Sequence, residues 1–317
     1  MKVLSLFDGI SCGLLALQRA GVQVDAYYAS EVDKSAIKCT STHNPSIIQI
    51  ADVSKVSFKD GVLTTEKGVF KTDIDLVIGG SPCQSFSAAG DGSGFGGKSG
   101  LYWEYSRVLK EVQAYNPGTL FLLENVVMRQ QWQDVITKDL SVNPILIDSA
   151  LVSHQRRKRL YWTNIPDVDQ PKDLQLSLDK YFDPYGHGPI MRSAQIVGRR
   201  LNKDGKREDH NTDIPVKQYL EFRKADKVNT LTTVLKDNVL TCIYPECDSR
   251  VVNGRIPMDT LGEQGDGWRY LTPEEYEVFQ TIPKGYTQIL PKTQRYKAVG
   301  NAWTVDVIAH ILSFMKL

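Results

Sequence analysis

A chain of 317 residues is long enough for one large domain, or for one domain carrying a sizeable insertion, and can bury a substantial core. With 38 Lys and Arg against 37 Asp and Glu the net charge is +1, which excludes a polyanion-binding charge spread over the whole molecule, so any such surface must be local. No apolar run approaches the ~18 residues of a membrane-spanning helix, and five scattered cysteines (Cys12, Cys39, Cys83, Cys242 and Cys247) argue for a reducing compartment rather than a disulfide framework.

KVLSLF reads as a strand that passes through a glycine turn into GLLALQRAG, whose apolar positions recur at helical spacing. The start faintly mimics a secretory leader, but Asp8 interrupts the apolar run and no cleavage site is clear, so it is read as a first strand and helix. DAYYASE, DKSAIKCTSTHN and SIIQIADV continue the rhythm, and DIDLVIGG, SRVLKEVQAY, GTLFLLENV, WQDVITKDL, ILIDSALV and RLYWTNI extend it. Strands alternating with helices predict an α/β fold around a mostly parallel, Rossmann-like sheet covered on both faces. From about Asp167 to Gly267 the rhythm breaks: Gly, Pro, Asp and Asn become frequent and strand-like pieces short, which predicts a smaller, loop-rich inserted domain. LTPEEYEVFQTI then opens as a capped helix, with Thr272 as N-cap, Pro273 in the first turn and Glu275 completing a capping box. AVGNAWTVDVIAHILSFMKL closes the chain as a helix returning to the first domain. The predicted division is a larger unit over 1–166 and 285–317 and a smaller one over 167–284.

Four segments carry chemistry. LSLFDGISCG joins a strand to a helix through a glycine turn, where Gly9 and Gly13 allow close approach of a nucleotide-like ligand and the helix start offers N–H donors. Glu31, about 20 residues on, stands where a ribose-hydroxyl acceptor belongs, and Asp52 in IADV is a candidate for the ligand's base, or a polar residue that merely closes a strand. DLVIGGSPCQSFS sets Cys83 just beyond a strand, where open α/β sheets bind ligands. A buried structural thiol, a metal or redox ligand and a nucleophile compete there. The approach through Gly79, Gly80 and Pro82, followed by a glycine-rich segment able to close and reopen, favours the nucleophile.

FLLENVV ends a buried strand in Glu124 and Asn125; a carboxylate there needs a partner or a task, and proton donation is one, a satisfied structural acid the other. SHQRRKRLYW alternates Gln155, Arg157 and Arg159 with Arg156 and Lys158, so on a strand the first three share a side, as forked donors for an anionic substrate. A broader basic group in the smaller unit (Arg192, Arg199, Arg200, Lys203, Lys206 and Arg207) is a candidate polyanion contact or a solvated face. Cys242 and Cys247 match no zinc spacing, so no metal is expected.

In order along the chain, FDGISCG, SEVD, ADV, GGSPCQSFS, ENV, QRRKR and GNAWTV resemble the motifs of the DNA (cytosine-5)-methyltransferase family, and they span nearly the whole sequence. Any one motif is weak; the ordered set is specific. The wording is nearest to the catalytic domains of de novo methyltransferases, whose core prokaryotic and phage modification enzymes share. The resemblance implies methyl transfer from S-adenosyl-L-methionine, leaving S-adenosyl-L-homocysteine, to C5 of a cytosine flipped out of double-stranded DNA. The larger unit would then be catalytic and cofactor-binding, and the smaller one would recognise the target. It further implies that Cys83 attacks C6, that Glu124 hydrogen-bonds N3 and the exocyclic amine, and that Arg157 and Arg159 hold the flipped nucleotide. Water is the expected acceptor of the C5 proton.

Cofactor contacts implied by the resemblance are Phe7, Asp8, Gly9, Ile10, Ser11, Cys12, Glu31, Val32, Asp52, Val53, Pro82, Leu101, Asn301, Ala302 and Trp303. Implied DNA contacts are Gln84, Ser87, Ala89, Gln155, Thr230, Leu231, Thr232 and Thr233. Ala89 stands where the family's loop fills the gap left by the flipped base, and it is small for that task. Trp303 stands where many bacterial relatives carry a small residue. The expected setting is cytoplasmic and DNA-associated, as in restriction–modification, with no obligate protein partner. A nicotinamide-dependent dehydrogenase would share the first turn but leave Cys83, Glu124 and the arginines idle. A thymidylate-synthase-type enzyme would leave the basic insertion without a role, and a non-catalytic DNA-binding relative would be expected to lack Cys83 or Glu124.

Overall fold

The apolar runs become the strands of one central sheet in a computed structural model, which describes residues 1–82, 94–95, 100–183, 191–223, 226–245, 247–265 and 267–315. The first half runs β1 (Lys2–Leu6), α1 (Cys12–Arg19), β2 (Ala26–Ser30), α2 (Lys34–His43), β3 (Ile48–Gln49), β4 (Ser57–Lys59), β5 (Val62–Thr65), β6 (Gly68–Lys71) and β7 (Leu76–Gly79). Next come α3 (Tyr102–Tyr115), β8 (Leu120–Val126), α4 (Gln130–Leu140), β9 (Ile145–Asp148), β10 (Lys158–Thr163) and α5 (Leu178–Phe182). The remainder comprises β11 (Arg192–Arg199), β12 (Lys217–Phe222), β13 (Val239–Thr241), β14 (Arg255–Pro257), β15 (Trp268–Tyr270), α6 (Pro273–Phe279), α7 (Lys292–Asn301) and α8 (Val305–Leu312).

The central sheet has the order β3-β2-β1-β7-β8-β10-β9. Its pairs from β3 to β8 are parallel, and β10 runs antiparallel to both neighbours. The short stretch between β9 and β10 contains only a 3-10 turn, too little chain for the crossover that a parallel return requires. Along the strands, side chains alternate between two cores: Val3, Leu76, Ile78 and Leu122 enter one with α1 and α8, while Leu4, Leu6, Val77, Phe121 and Leu123 enter the other with α3 and α4. Burial on both faces is why these strands read as continuous apolar runs. Strand order reverses between β1 and β7, and that switch opens a crevice at the strands' carboxyl ends.

The inserted region is less irregular than its composition implied. It forms a five-stranded antiparallel sheet, β14-β12-β11-β13-β15, around Ala194, Ile196, Leu220, Val239 and Trp268. The strands at its rim are three residues long, which is why they left little periodic signal. The capping box of α6 forms: Glu275 N–H donates to Thr272 Oγ1 (3.2 Å), and Thr272 N–H donates to Glu275 (2.7 Å). Tyr276 and Phe279 of α6 pack into the larger core although their residues lie within 167–284. Part of the second basic group is paired: Arg199 with Glu221 of the small sheet (3.3 Å), and, in the loop after β11, Arg207 with Asp209, while Arg200 donates to the carbonyl of Ile214 (3.0 Å). Among the described residues no helix is long and apolar enough to cross a membrane.

Candidate active site

The turn from β1 into α1 is unusual in its backbone: Phe7, Gly9 and Ser11 all have φ of 58°. For Phe7 and Ser11 this left-handed conformation costs roughly 1–3 kcal/mol each, so something must hold it. Asp8 does. Its carboxylate is turned inward and accepts from Ser5 Oγ (2.7 Å), Tyr27 OH (2.7 Å) and Ser11 Oγ. Burial pushes this carboxyl up to about 6 against those three donors. The side chains of Ile10, Ser11 and Cys12 are likewise buried, and burial drives the Cys12 thiol up to about 12. The side chains of residues 8, 10, 11 and 12 thus lie inside, where they brace the turn expected to meet the ligand.

Above Gly9 the space is open, since a Cβ there would meet nothing within 4 Å. Glu31, at the end of β2, ties itself to this turn by accepting from Gly9 N–H (2.7 Å), while its other oxygen accepts from Val32 N–H (2.8 Å) and Asp33 N–H (2.7 Å). Val32 is exposed and the Val53 side chain is buried. Asp52 accepts from Ser54 N–H (2.9 Å) and caps the 3-10 turn that Val53 begins. Sequence reasoning missed Arg107 of α3, which donates to the Val56 carbonyl (2.8 Å) of that turn while paired with Glu104 (2.6 Å) and Glu111 (2.9 Å).

On the other side of the crevice, Gly79, Gly80, Ser81 and Pro82 leave β7. The two glycines are demanded by space, not by dihedral angle. A Cβ on Gly79 would lie 2.9 Å from the Leu6 carbonyl oxygen and 2.9 Å from the Tyr105 ring; one on Gly80 would lie 2.7 Å from Trp303 Nε1 and 3.2 Å from Glu124 Oε2. Asn125 donates to Ser81 Oγ (3.1 Å), so the end of β8 clasps the segment leading to Cys83. Glu124 is mostly buried and pairs with Arg159 Nε at 2.9 Å. Leu101 opens α3 nearby, packed on the second core. Asn301 is exposed, Ala302 buried, and Trp303 half-buried over Gly80. Cys83, Gln84, Ser87 and Ala89 lie outside the described residues, as does most of the glycine-rich segment. Within it, Gly94 packs under Trp132 and Phe95 against Tyr102 and Trp103.

The alternation in QRRKR is real, but its shared side faces inward. Gln155 is fully buried and donates to the carbonyl of Phe279 (2.8 Å) and to Gln280 Oε1 (2.6 Å). Arg157 is buried and donates to the carbonyls of Leu231 (3.1 Å) and Ala302 (3.1 Å). Leu231 is itself fully buried. The side chains of Gln155, Arg157 and Leu231, expected at a ligand, are directed into the core in this structure. His154, set edge-on to Tyr181 and tilted against Phe279, is pushed down to about 4 by burial. Of Thr230 to Thr233, Thr230 donates to the Arg156 carbonyl (2.8 Å), Thr232 to Asp237 (2.6 Å), and Thr233 is exposed.

The exposed members of the motif are Arg156 and Lys158, which the sequence reading set aside. Together with Arg159, Val126, Val127 and Thr230 they line a cleft of about 600 Å³ beside the Glu124–Arg159 pair. The same alternation would have found them once Arg157 was placed inside.

The model of the C-5 cytosine-specific DNA methylase family matches residues 1–316. The orphan methyltransferase M.Rho11sI of Bacillus phage rho11s is 38% identical over 261 residues, covering 72% of this chain and 47% of that protein. The orphan methyltransferase M.SPRI of Bacillus phage SPR is 33% identical over 193 residues, with 56% of this chain and 40% of that protein covered. The chain thus matches less than half the length of either phage protein. The Type II methyltransferase M.Eco47II of Escherichia coli is 35% identical, over 96% of this chain and 76% of its own. The fold is shared with the crystal structure of S. pombe Dnmt2 methyltransferase, at a TM-score of 0.59 and 15% identity over 99% of this chain and 97% of that one. It is also shared with Entamoeba histolytica methyltransferase EhMeth, at 0.60 and 13% over 99% and 97%.

Proposed function

Because the chain belongs to the C-5 cytosine-specific DNA methylase family, we propose that it methylates C5 of a cytosine in double-stranded DNA with S-adenosylmethionine as donor, in a DNA-modification setting like that of its relatives. The observation that carries this reading is the convergence of Gly80, Glu124, Arg159 and Trp303 around the segment that delivers Cys83. The crevice suits the cofactor. It has open space over Gly9, a carboxylate at the end of β2, an acidic turn at Asp52 and two aromatic rings, Phe7 and Trp303. Phe7, the main chain of residues 8–12, Glu31, Val32, Asp52, Val53, Pro82, Leu101 and the Asn301–Trp303 loop would hold it. When bound it supplies the methyl group.

The chain's own residues do the rest. Cytosine C5 is a weak nucleophile until the Cys83 thiolate adds to C6; the new S–C6 bond displaces an electron pair toward C5 and N3. Glu124 hydrogen-bonds N3 and relays to it a proton taken up from solvent, so the pair is not stranded as an anion, and C5 takes the methyl group. Water removes the C5 proton, N3 returns its proton to solvent through Glu124, the S–C6 bond breaks, and the thiolate is regenerated. Arg159 fixes the Glu124 carboxylate for this task and offers its remaining N–H groups to the base or its phosphate. The target atom cannot be reached within a duplex, so the base leaves the stack at a cost of about a few kcal/mol. Contacts from the cleft and from Thr230 and Thr233 would offset that cost.

Bisulfite sequencing of plasmid DNA from cells expressing the chain tests the reading. Protected cytosines in a recurring context are expected, and complete conversion would overturn it. The cleft makes a separate forecast. Arg156→Gln and Lys158→Gln should each weaken DNA binding about equally for all sequences and lower the slope of log K against log salt by about one. An unchanged slope would remove both side chains from the DNA face.

A further inference from the structure

We propose that Gln280 is a positioning residue that couples DNA recognition to cofactor binding through a buried polar knot shared with Gln155, Arg157 and Thr304. The inference rests on the functional reading above, in which the Thr230–Thr233 segment meets DNA and Trp303 borders the cofactor. Gln280 follows α6 and is fully buried. Its amide donates to the carbonyls of Val299 (3.1 Å) and Ala302 (3.1 Å), while its oxygen accepts from Gln155 Nε2 (2.6 Å) and Thr304 Oγ1 (2.7 Å). Both ends of the side chain are therefore satisfied, and they point to different segments.

The recognition segment is gripped by the same knot. Gln155 Oε1 accepts from Leu231 N–H (3.2 Å), and Arg157 donates to the Leu231 carbonyl (3.1 Å). Arg157 also donates to the Ala302 carbonyl that Gln280 holds, one residue before Trp303. The two main chains touch directly as well: a Cβ on Gly300 would lie 2.6 Å from the carbonyl carbon and oxygen of Thr232. No slack separates the segments. A shift of residues 230–233 on engaging DNA must either carry the 299–303 loop with it or leave buried donors and acceptors unpaired, and the second is the costlier course. Because the linkage is thermodynamic it must be reciprocal, so bound cofactor should tighten DNA binding by the same factor. Gln155, Gln280 and Thr304 are almost completely buried, so they act through the loops they hold.

Calorimetric titration of S-adenosylhomocysteine, with and without a duplex carrying the cytosine context read from protected plasmid sites, measures the coupling. Wild type should bind the probe roughly 5- to 150-fold more tightly with duplex present, with the same factor when the order is reversed. In Gln280→Met the factor should fall to near one while each probe still binds alone. Gly300→Ala, which wedges the two main chains apart without removing a hydrogen bond, should do the same if the methionine variant does not fold. A factor of one in wild type, or an undiminished factor in whichever variant is folded, overturns the proposal. Failure of wild type to bind either probe alone would instead defeat the methyltransferase reading, and this inference with it.

Discussion

Cys83→Ser is expected to abolish methyl transfer, by about 10⁴-fold or more, while leaving DNA binding close to that of wild type. A few per cent of an ordinary thiol is already ionised at neutral pH and is intrinsically nucleophilic, whereas a serine hydroxyl without an adjacent base is neither. Among the described residues beside Gly80 and Ser81, Glu124 is committed to Arg159 and Asn125 to Ser81. Single-turnover transfer of labelled methyl groups measures the loss, and retention of a tenth of the wild-type rate would remove Cys83 from the chemistry. A duplex with 5-fluorocytosine at the target adds a direct test. Fluorine cannot leave as a cation, so the S–C6 bond cannot be resolved, and wild type should remain joined to the DNA where the serine variant does not.

Glu124→Gln should lower kcat by roughly 10²- to 10⁴-fold, the span attributed to a positioned general acid, with a smaller change in KM for DNA. Glutamine keeps the shape beside Gly80 and can still hydrogen-bond, so what is lost is the negative charge and with it the capacity to take up and pass on a proton. That charge faces Arg159 at 2.9 Å, with the two side chains only 11% and 13% exposed. Leaving the guanidinium unpaired there should also destabilise the protein, by about 3–5 kcal/mol if the site behaves as fully buried and less in proportion to its solvent access. Thermal unfolding and kcat must therefore be measured together. A variant within threefold of wild-type kcat would assign Glu124 to structure alone.

The glycine pair shows how a residue type can be legible while its reason is not. Gly79 and Gly80 stand out in sequence as a flexible exit, yet both take ordinary φ values and are needed because Leu6, Tyr105, Trp303 and Glu124 crowd their Cβ positions. Gln280 and Arg107 gave no signal at all. Each works through main-chain carbonyls contributed by segments remote in the chain, and a carbonyl has no letter in a sequence.

The alternation of strands and helices, the capped start of α6, the ordered motifs and the side-to-side alternation within QRRKR are legible in the chain's letters. All of these depend on local periodicity and residue chemistry. Long-range packing settled which side of that motif is inside, that β10 runs against its neighbours, and that residues 230–233 and 299–303 share one set of buried hydrogen bonds. A period of two orders side chains relative to one another, but the face that meets the core is chosen by what the rest of the chain packs against it.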